Sequence, residues 1–302
     1  MYYILHQHYE SVLRLAKLIN PKKLDEFYDI FNNDKFLKLT PKDRLIFLQR
    51  SMPIPSEKYF TLENFNKIAQ QTVEEMVKYN IDHIDLRISL HFERWKDVKD
   101  ISRARKIYDK ALANYVGKSI SFVAAVDLTK SEMEIERSMG VLFIRKTLES
   151  ITGIDINMYE ENIENFNKYY KDLLKLRKLH HKKINIHLGE FTTNKTNHEI
   201  LKKIKPDRIG HGIALLESVE LCKIIKDNNI CLDICPVSNK ILGVVDWDKY
   251  NPIKKAIDFG ILVTINTDDP IMFNTDINKE IDLADLSQQQ LKILADNSKK
   301  YC

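Results

Sequence analysis

The stretch DRIGHGIALLESVELCKIIKDNNICLDICP (207–236) holds one full repeating unit of the chain. DRIGHG and ICLDICP are short, Ile-bearing runs that stop at Gly212 and Pro236, the pattern of buried strands bounded by breakers. Between them SVELCKIIKDNN sets Leu221, Cys222 and Ile225 at helical spacing. Strand, helix and strand in this order predict two parallel neighbours joined by a helix. The same alternation extends both ways. The other predicted strands are YYIL (2–5), IDHIDLRISL (81–90), SISFVAAVD (119–127), ITGIDI (151–156), KINIHL (183–188) and ILVTINTDDP (261–270). Helical stretches such as SEMEIERSMGVLFIRKTLES (131–150) separate them, and 11–80 reads as a polar helical region. About eight strands in β–α order predict an α/β protein, a (β/α)8 TIM barrel, with residues 1–302 as a single domain. The segment 20–60, rich in Asn, Lys and Pro, reads as a helical insertion after strand 1 that covers the barrel mouth. An open doubly wound sheet would want a glycine-rich phosphate loop, and no GxGxxG or GxxxxGK[ST] occurs.

Composition narrows the function classes. With 44% hydrophobic and 30% charged residues the chain is an ordinary globule. A net charge of +4, from 47 basic and 43 acidic side chains, leaves no footprint for nucleic acid. KDLLKLRKLHHKK (171–183) reads as a solvated helix face, with His180 and His181 at its end. No apolar run has the ~20 residues of a membrane span, and no signal peptide opens the chain. The four cysteines suggest no disulfide framework. A cytoplasmic protein is expected, and protein partners are unknown. Glycine is scarce, at eight residues, yet Gly189, Gly210 and Gly212 fall within two short segments, a sign of close backbone approach or unusual turns.

In such a barrel the chemistry sits at the carboxyl ends of the strands. Strand 1 leads into His6 and His8, which share a face if the strand continues. Strand 5 ends in His187, with Glu190 three residues on; strand 6 offers His211; strand 8 offers Asp268 and Asp269 before Pro270. A lone strand-end histidine is more often structural than a ligand, but these residues converge on one rim. Three histidines and an aspartate suit a borderline-soft ion such as Zn2+, with a position left for water. Other patterns fail. His91–Phe92–Glu93 lacks the PCxxC of a cytidine-deaminase zinc site, His198–Glu199 is not part of HExxH, and His83 carries no partner signal.

Five segments, LHQH (5–8), HLGE (187–190), RIGHG (208–212), CPVSN (235–239) and NTDDP (266–270), together with IDLR (84–87) and GID (153–155), resemble the adenosine deaminase family of zinc aminohydrolases over nearly the whole chain. The resemblance implies one Zn2+ per chain held by His6, His8, His187 and Asp268. It makes Glu190 the proton donor and has His211 orient and help deprotonate the attacking water. Asp269 becomes a ligand of the purine, Glu10 a partner of the ribose 5′-hydroxyl, and His8 and the Met158 position further substrate contacts. The implied reaction is hydrolytic deamination of adenosine or deoxyadenosine. Alternatives are deamination of AMP, N6-methyl-AMP or a 5′-modified adenosine, or a metal-free barrel kept as a binding protein. Ser11 and Met158 stand where the family usually has glycine, and the carboxyl-terminal helices read as shortened. A two-metal site would want a lysine at the end of strand 4, and GIDINMYE (153–160) has none.

Overall fold

The computed structural model describes residues 2–95 and 97–302. Eight strands form one parallel sheet in chain order: β1 (Tyr2–His8), β2 (Ile81–Ser89), β3 (Ser119–Asp127), β4 (Gly153–Asn157), β5 (Lys183–Leu188), β6 (Arg208–His211), β7 (Cys231–Ile234) and β8 (Val263–Ile265). The two ends of the sheet meet just beyond β8. Gln7 pairs with Asp268, the His8 N–H donates to the Asp268 carbonyl at 2.7 Å, and the Asp268 N–H donates to the His6 carbonyl at 3.0 Å. The Asn266 side-chain oxygen accepts from the Leu5 and His6 amides at 2.7 and 3.0 Å. The chain is a (β/α)8 barrel, as its alternation predicts.

Three of the boundaries that differ from the sequence reading bear on the site. β1 runs on through His8, so both imidazoles are strand residues. β8 stops at Ile265, because the Asn266 side chain, not further backbone, takes the next β1 amides. β7 stops at Ile234, because Pro236 cannot donate to a ladder and instead starts the helix Pro236–Leu242.

Strand parity decides what fills the barrel. On β2, Ile84, Leu86 and Ile88 are buried in the main apolar core. Asp85 and Arg87 take the opposite face and meet charged residues of other strands across the interior. Arg87 Nε lies 3.2 Å from Asp155, its Nη2 3.3 Å from Asp233, and its Nη1 donates to the Leu5 carbonyl at 2.7 Å. Arg208 pairs with Asp85, lies 3.4 Å from Asp233, and also donates to the Leu5 carbonyl. Charges this deeply buried persist only when paired. His83, which shows no partner signal in the sequence, proves to be inside β2 with two partners: Asp85 at 2.9 Å and Ser119 at 2.7 Å.

The 20–60 segment is helical and sits over the mouth. Its helices are Lys22–Tyr28, Asp34–Leu37 and Pro41–Ser51, the last capped by Thr40 and started by Pro41. Leu24, Phe27, Phe36 and Leu48 pack against Leu242, Ile271, Met272 and Phe273, which follow β7 and β8. Both expected features of the insertion, its helicity and its position, are present.

His83 makes stability depend on pH. Burial lowers its proton affinity, but the hydrogen bond to Asp85 and the influence of Cys302 outweigh this and raise its pKa to about 9. A group whose folded pKa exceeds its unfolded value contributes full stability below the unfolded value, near 6.5, and loses it as pH rises through the folded one. Urea unfolding should therefore show a loss on the order of 2–3 kcal/mol between pH 6 and pH 10, and His83→Gln should remove most of that difference.

Candidate active site

β1 directs the His6 and His8 rings to one side, with centroids 5.3 Å apart. β5 and β6 bring in His187 and His211, whose rings lie 4.7 and 5.1 Å from that of His6. Asp268 Oδ1 lies 3.4 Å from Nε2 of both His6 and His8. Donor atoms of His6, His8 and His187 lie within 4.8 Å of one another, as do those of His6, His211 and Asp268. The fold thus gathers all four residues expected to hold a metal, with His211 beside them.

Glycine makes this packing possible. A Cβ on Gly210 would meet His6 Cε1 at 2.6 Å, so the His6 ring fits only against a bare backbone. Gly189 and Gly212 adopt φ of 72°, turning the chain sharply after β5 and β6. Three non-glycine residues of the site share the left-handed region: Glu10 (φ 41°), His211 (φ 63°) and Asp268 (φ 55°). Such backbone costs on the order of 1–3 kcal/mol per residue and tends to gather where function requires it.

The cluster fits a metal on the chemistry of its donors. His6 is fully buried, and neither ring nitrogen has a hydrogen-bond partner, an expensive condition for an imidazole unless an ion takes its lone pair. His187 Nδ1 lies 3.2 Å from Asp155. Burial opposes protonation there, but Asp155 raises the proton affinity of the ring, which places the proton on Nδ1 and leaves the Nε2 lone pair for a ligand role. Arg87 in turn holds Asp155. Burial lowers the pKa of His8 to about 4 and that of His211 to about 3, so both rings are neutral. Asp268 stays ionised, because the neighbouring imidazoles outweigh the effect of its burial.

The two remaining carboxyls behave oppositely. Burial, reinforced by the charge of Asp268, pushes Glu190 and Asp269 well above the usual carboxylate range, so both are protonated donors. Glu190 Oε2 lies 3.4 Å from His211 Nε2, and His211 Nδ1 lies 3.0 Å from the Asn239 side-chain amide. A cleft of about 460 Å3 opens over these groups. Its wall includes His8, Glu10, Ser11, Glu190, His211 and Asp269, with Leu45, Gln49 and Met52 from the insertion above.

Two predicted substrate contacts acquire a more specific setting. Glu10 faces the cleft, but its carboxyl oxygens accept from the Ile271 and Met272 amides at 2.9 and 2.7 Å. It makes no side-chain cap to the following helix. Burial brings its pKa to about 7. The Met158 side chain does not join the site: it is 2% exposed and belongs to the apolar core, while Asn157 lines the cleft at the end of β4. Ser11 lines the cleft and accepts from the Trp95 indole at 3.4 Å. Sequence reasoning passes over Asp155, Asn239 and the Arg87 network as functional groups. The available signal is a charged residue at an inward-facing position of an otherwise apolar strand.

Comparison with known proteins agrees with this geometry. The family model for adenosine deaminase matches residues 42–301. Adenosine deaminase of Clostridium botulinum strain Okra is 30% identical over 80% of this chain and 73% of the relative. That of Plasmodium gallinaceum is 30% identical over 78% and 65%. Among solved structures, adenine deaminase from Arthrobacter aurescens superposes with a TM-score of 0.75 at 19% identity, covering 100% of this chain and 93% of that one. Arabidopsis ADAL complexed with IMP gives 0.72 at 16% identity, covering 100% and 91%. A zinc-bound amidohydrolase from Burkholderia ambifaria gives 0.74 at 18% identity, covering 100% and 85%. The chain is a hydrolytic deaminase that belongs to the adenosine deaminase family.

Proposed function

We propose that the cleft deaminates adenosine or deoxyadenosine, releasing ammonia and leaving inosine or deoxyinosine, with Zn2+ held by His6, His8, His187 and Asp268. The observation that carries the reading is the pair of protonated carboxyls, Glu190 and Asp269, facing one cleft beside the neutral rings of His6, His8 and His211 and one ionised aspartate. A bound divalent ion supplies Lewis-acid activation of the water that attacks C6. His211 takes a proton from that water at Nε2. Addition at C6 moves electron density onto N1, and Glu190 delivers its proton there. Asp269, as a protonated acid, donates to the acceptor N7. Breaking of the C6–N bond, with the proton held on His211 passing to the leaving nitrogen and the C6 hydroxyl proton returning to Glu190, gives ammonia and a lactam ring.

Glu10 favours a nucleoside. Its carboxyl faces the cleft, and when ionised it repels a 5′-phosphate. Lys130 supports a second reading: it lines the cleft with its side chain 56% exposed, and its long 3.6 Å pairing with Asp127 is one that an anion in the cleft can compete for. AMP or N6-methyl-AMP is the substrate on that reading. Ammonia release from adenosine, deoxyadenosine, AMP and N6-methyl-AMP by the zinc-loaded protein separates the two. Preference for AMP or N6-methyl-AMP would overturn the nucleoside reading.

Glu190→Gln should fold and hold metal, yet lose roughly 10²–10⁴-fold in kcat, since a carboxamide has no proton to deliver to N1. Near-normal kcat in a correctly metallated variant would refute the role. Glu10→Ala frees the Ile271 and Met272 amides and so costs stability whatever the substrate. The informative quantity is the ratio of kcat/KM for adenosine to that for 5′-deoxyadenosine. It should fall about ten- to a hundred-fold if the 5′-hydroxyl donates to Glu10, a charge-assisted bond. An unchanged ratio would confine Glu10 to holding the 271–272 turn.

A further inference from the structure

Glu280 is a fully buried carboxyl with no part in the chemistry above. It lies in the first turn of the helix Ile277–Ala284. One of its oxygens accepts from the Val237 amide at 2.8 Å, the other from the Thr275 hydroxyl at 2.7 Å. Val237 is the second residue of the helix Pro236–Leu242, which lacks a cap of its own. Pro236 has no N–H, and the Cys235 side chain makes no capping bond. An unpaired buried amide at a helix start is costly, and the helix dipole favours an acceptor there. Glu280 supplies from a separate helix what the local sequence omits.

Asn239, two residues on in the same turn, touches the site. The Ser238 hydroxyl donates back to the Cys235 carbonyl at 3.2 Å, and the Asn239 side-chain amide meets His211 Nδ1 at 3.0 Å. Fixing the Val237 amide fixes the start of this turn, and with it the backbone that carries Asn239. We infer that Glu280 is a positioning residue which, through Val237, holds the Asn239 side chain against His211. This rests on the reading of His211 as the group that takes the water's proton. That role needs the His211 ring held with Nε2 toward the water, and Asn239 holds the ring at Nδ1.

The role does not require charge. Burial raises the Glu280 pKa to about 8, and an uncharged oxygen still accepts from Val237. Glu280→Gln therefore preserves the bond, whereas Glu280→Ala removes the acceptor. In zinc-loaded protein, Glu280→Ala should lower kcat by about 10- to 100-fold, with KM and metal content little changed, and Glu280→Gln should restore most of the rate. Glu280→Ala should add little to Asn239→Ala in the double variant, because the two act through one path. In protein labelled with ¹⁵N-histidine, the His211 ring shifts should move in Glu280→Ala and stay in place in Glu280→Gln. Should Glu280→Ala fail to fold, Val237→Pro deletes the same bond from the donor side and should move the same shifts. Additive losses in the double variant, or unmoved His211 shifts in the folded variant, would overturn the positioning role. If His211→Ala itself turns over normally, the reading of His211 falls instead.

Discussion

The structure depends on how the barrel closes. Strand β8 is only three residues long, and its pairing to β1 is completed by Asn266 and by backbone bonds between Asp268 and the two histidines His6 and His8. Closure and assembly of the His/Asp cluster are therefore one event. The bonds that seal the barrel run through the residues that gather at the site, from opposite ends of the sequence. Asp268 pays for this with a left-handed backbone, which only a surrounding set of bonds can hold.

Below the histidines, the charged layer of Arg87, Arg208, Asp85, Asp155 and Asp233 replaces the aliphatic layers usual in such barrels. It serves the site through Asp155, which orients His187. Above, the insertion and the Ile271–Phe273 segment exclude water. That exclusion keeps Glu190 and Asp269 protonated while Asp268, among imidazoles, stays ionised. Three of the cleft's four carboxyls, Asp268, Asp269 and Glu190, thus take two different protonation states, fixed by their surroundings and not by residue type.

Much of this was legible in the chain. The alternation of short apolar runs with helical patterns gives eight parallel strands, and the parity of His6 and His8 puts both rings on one face. Gly210 signals a close approach whose partner, His6, only the fold reveals. Other elements could not be read. Asn239 and Glu280 look like ordinary helix residues, because their meaning lies in contacts made across the barrel rim. Met158 occupies a position that suggests the purine, but its side chain turns into the core, and strand-end parity alone does not fix that direction. The end of β8 escaped for a related reason: a side chain takes over hydrogen bonds that backbone periodicity assigns to backbone.

The most direct test of the account is to strip the metal with a chelator and add Zn2+ back stepwise while following ammonia release from adenosine. The account predicts no turnover in the stripped protein, a linear rise to a break close to one equivalent per chain, and no such rise for His187→Ala, since a single-ion site of this kind has only four protein ligands. Full turnover without metal, or a break near two equivalents, would contradict it.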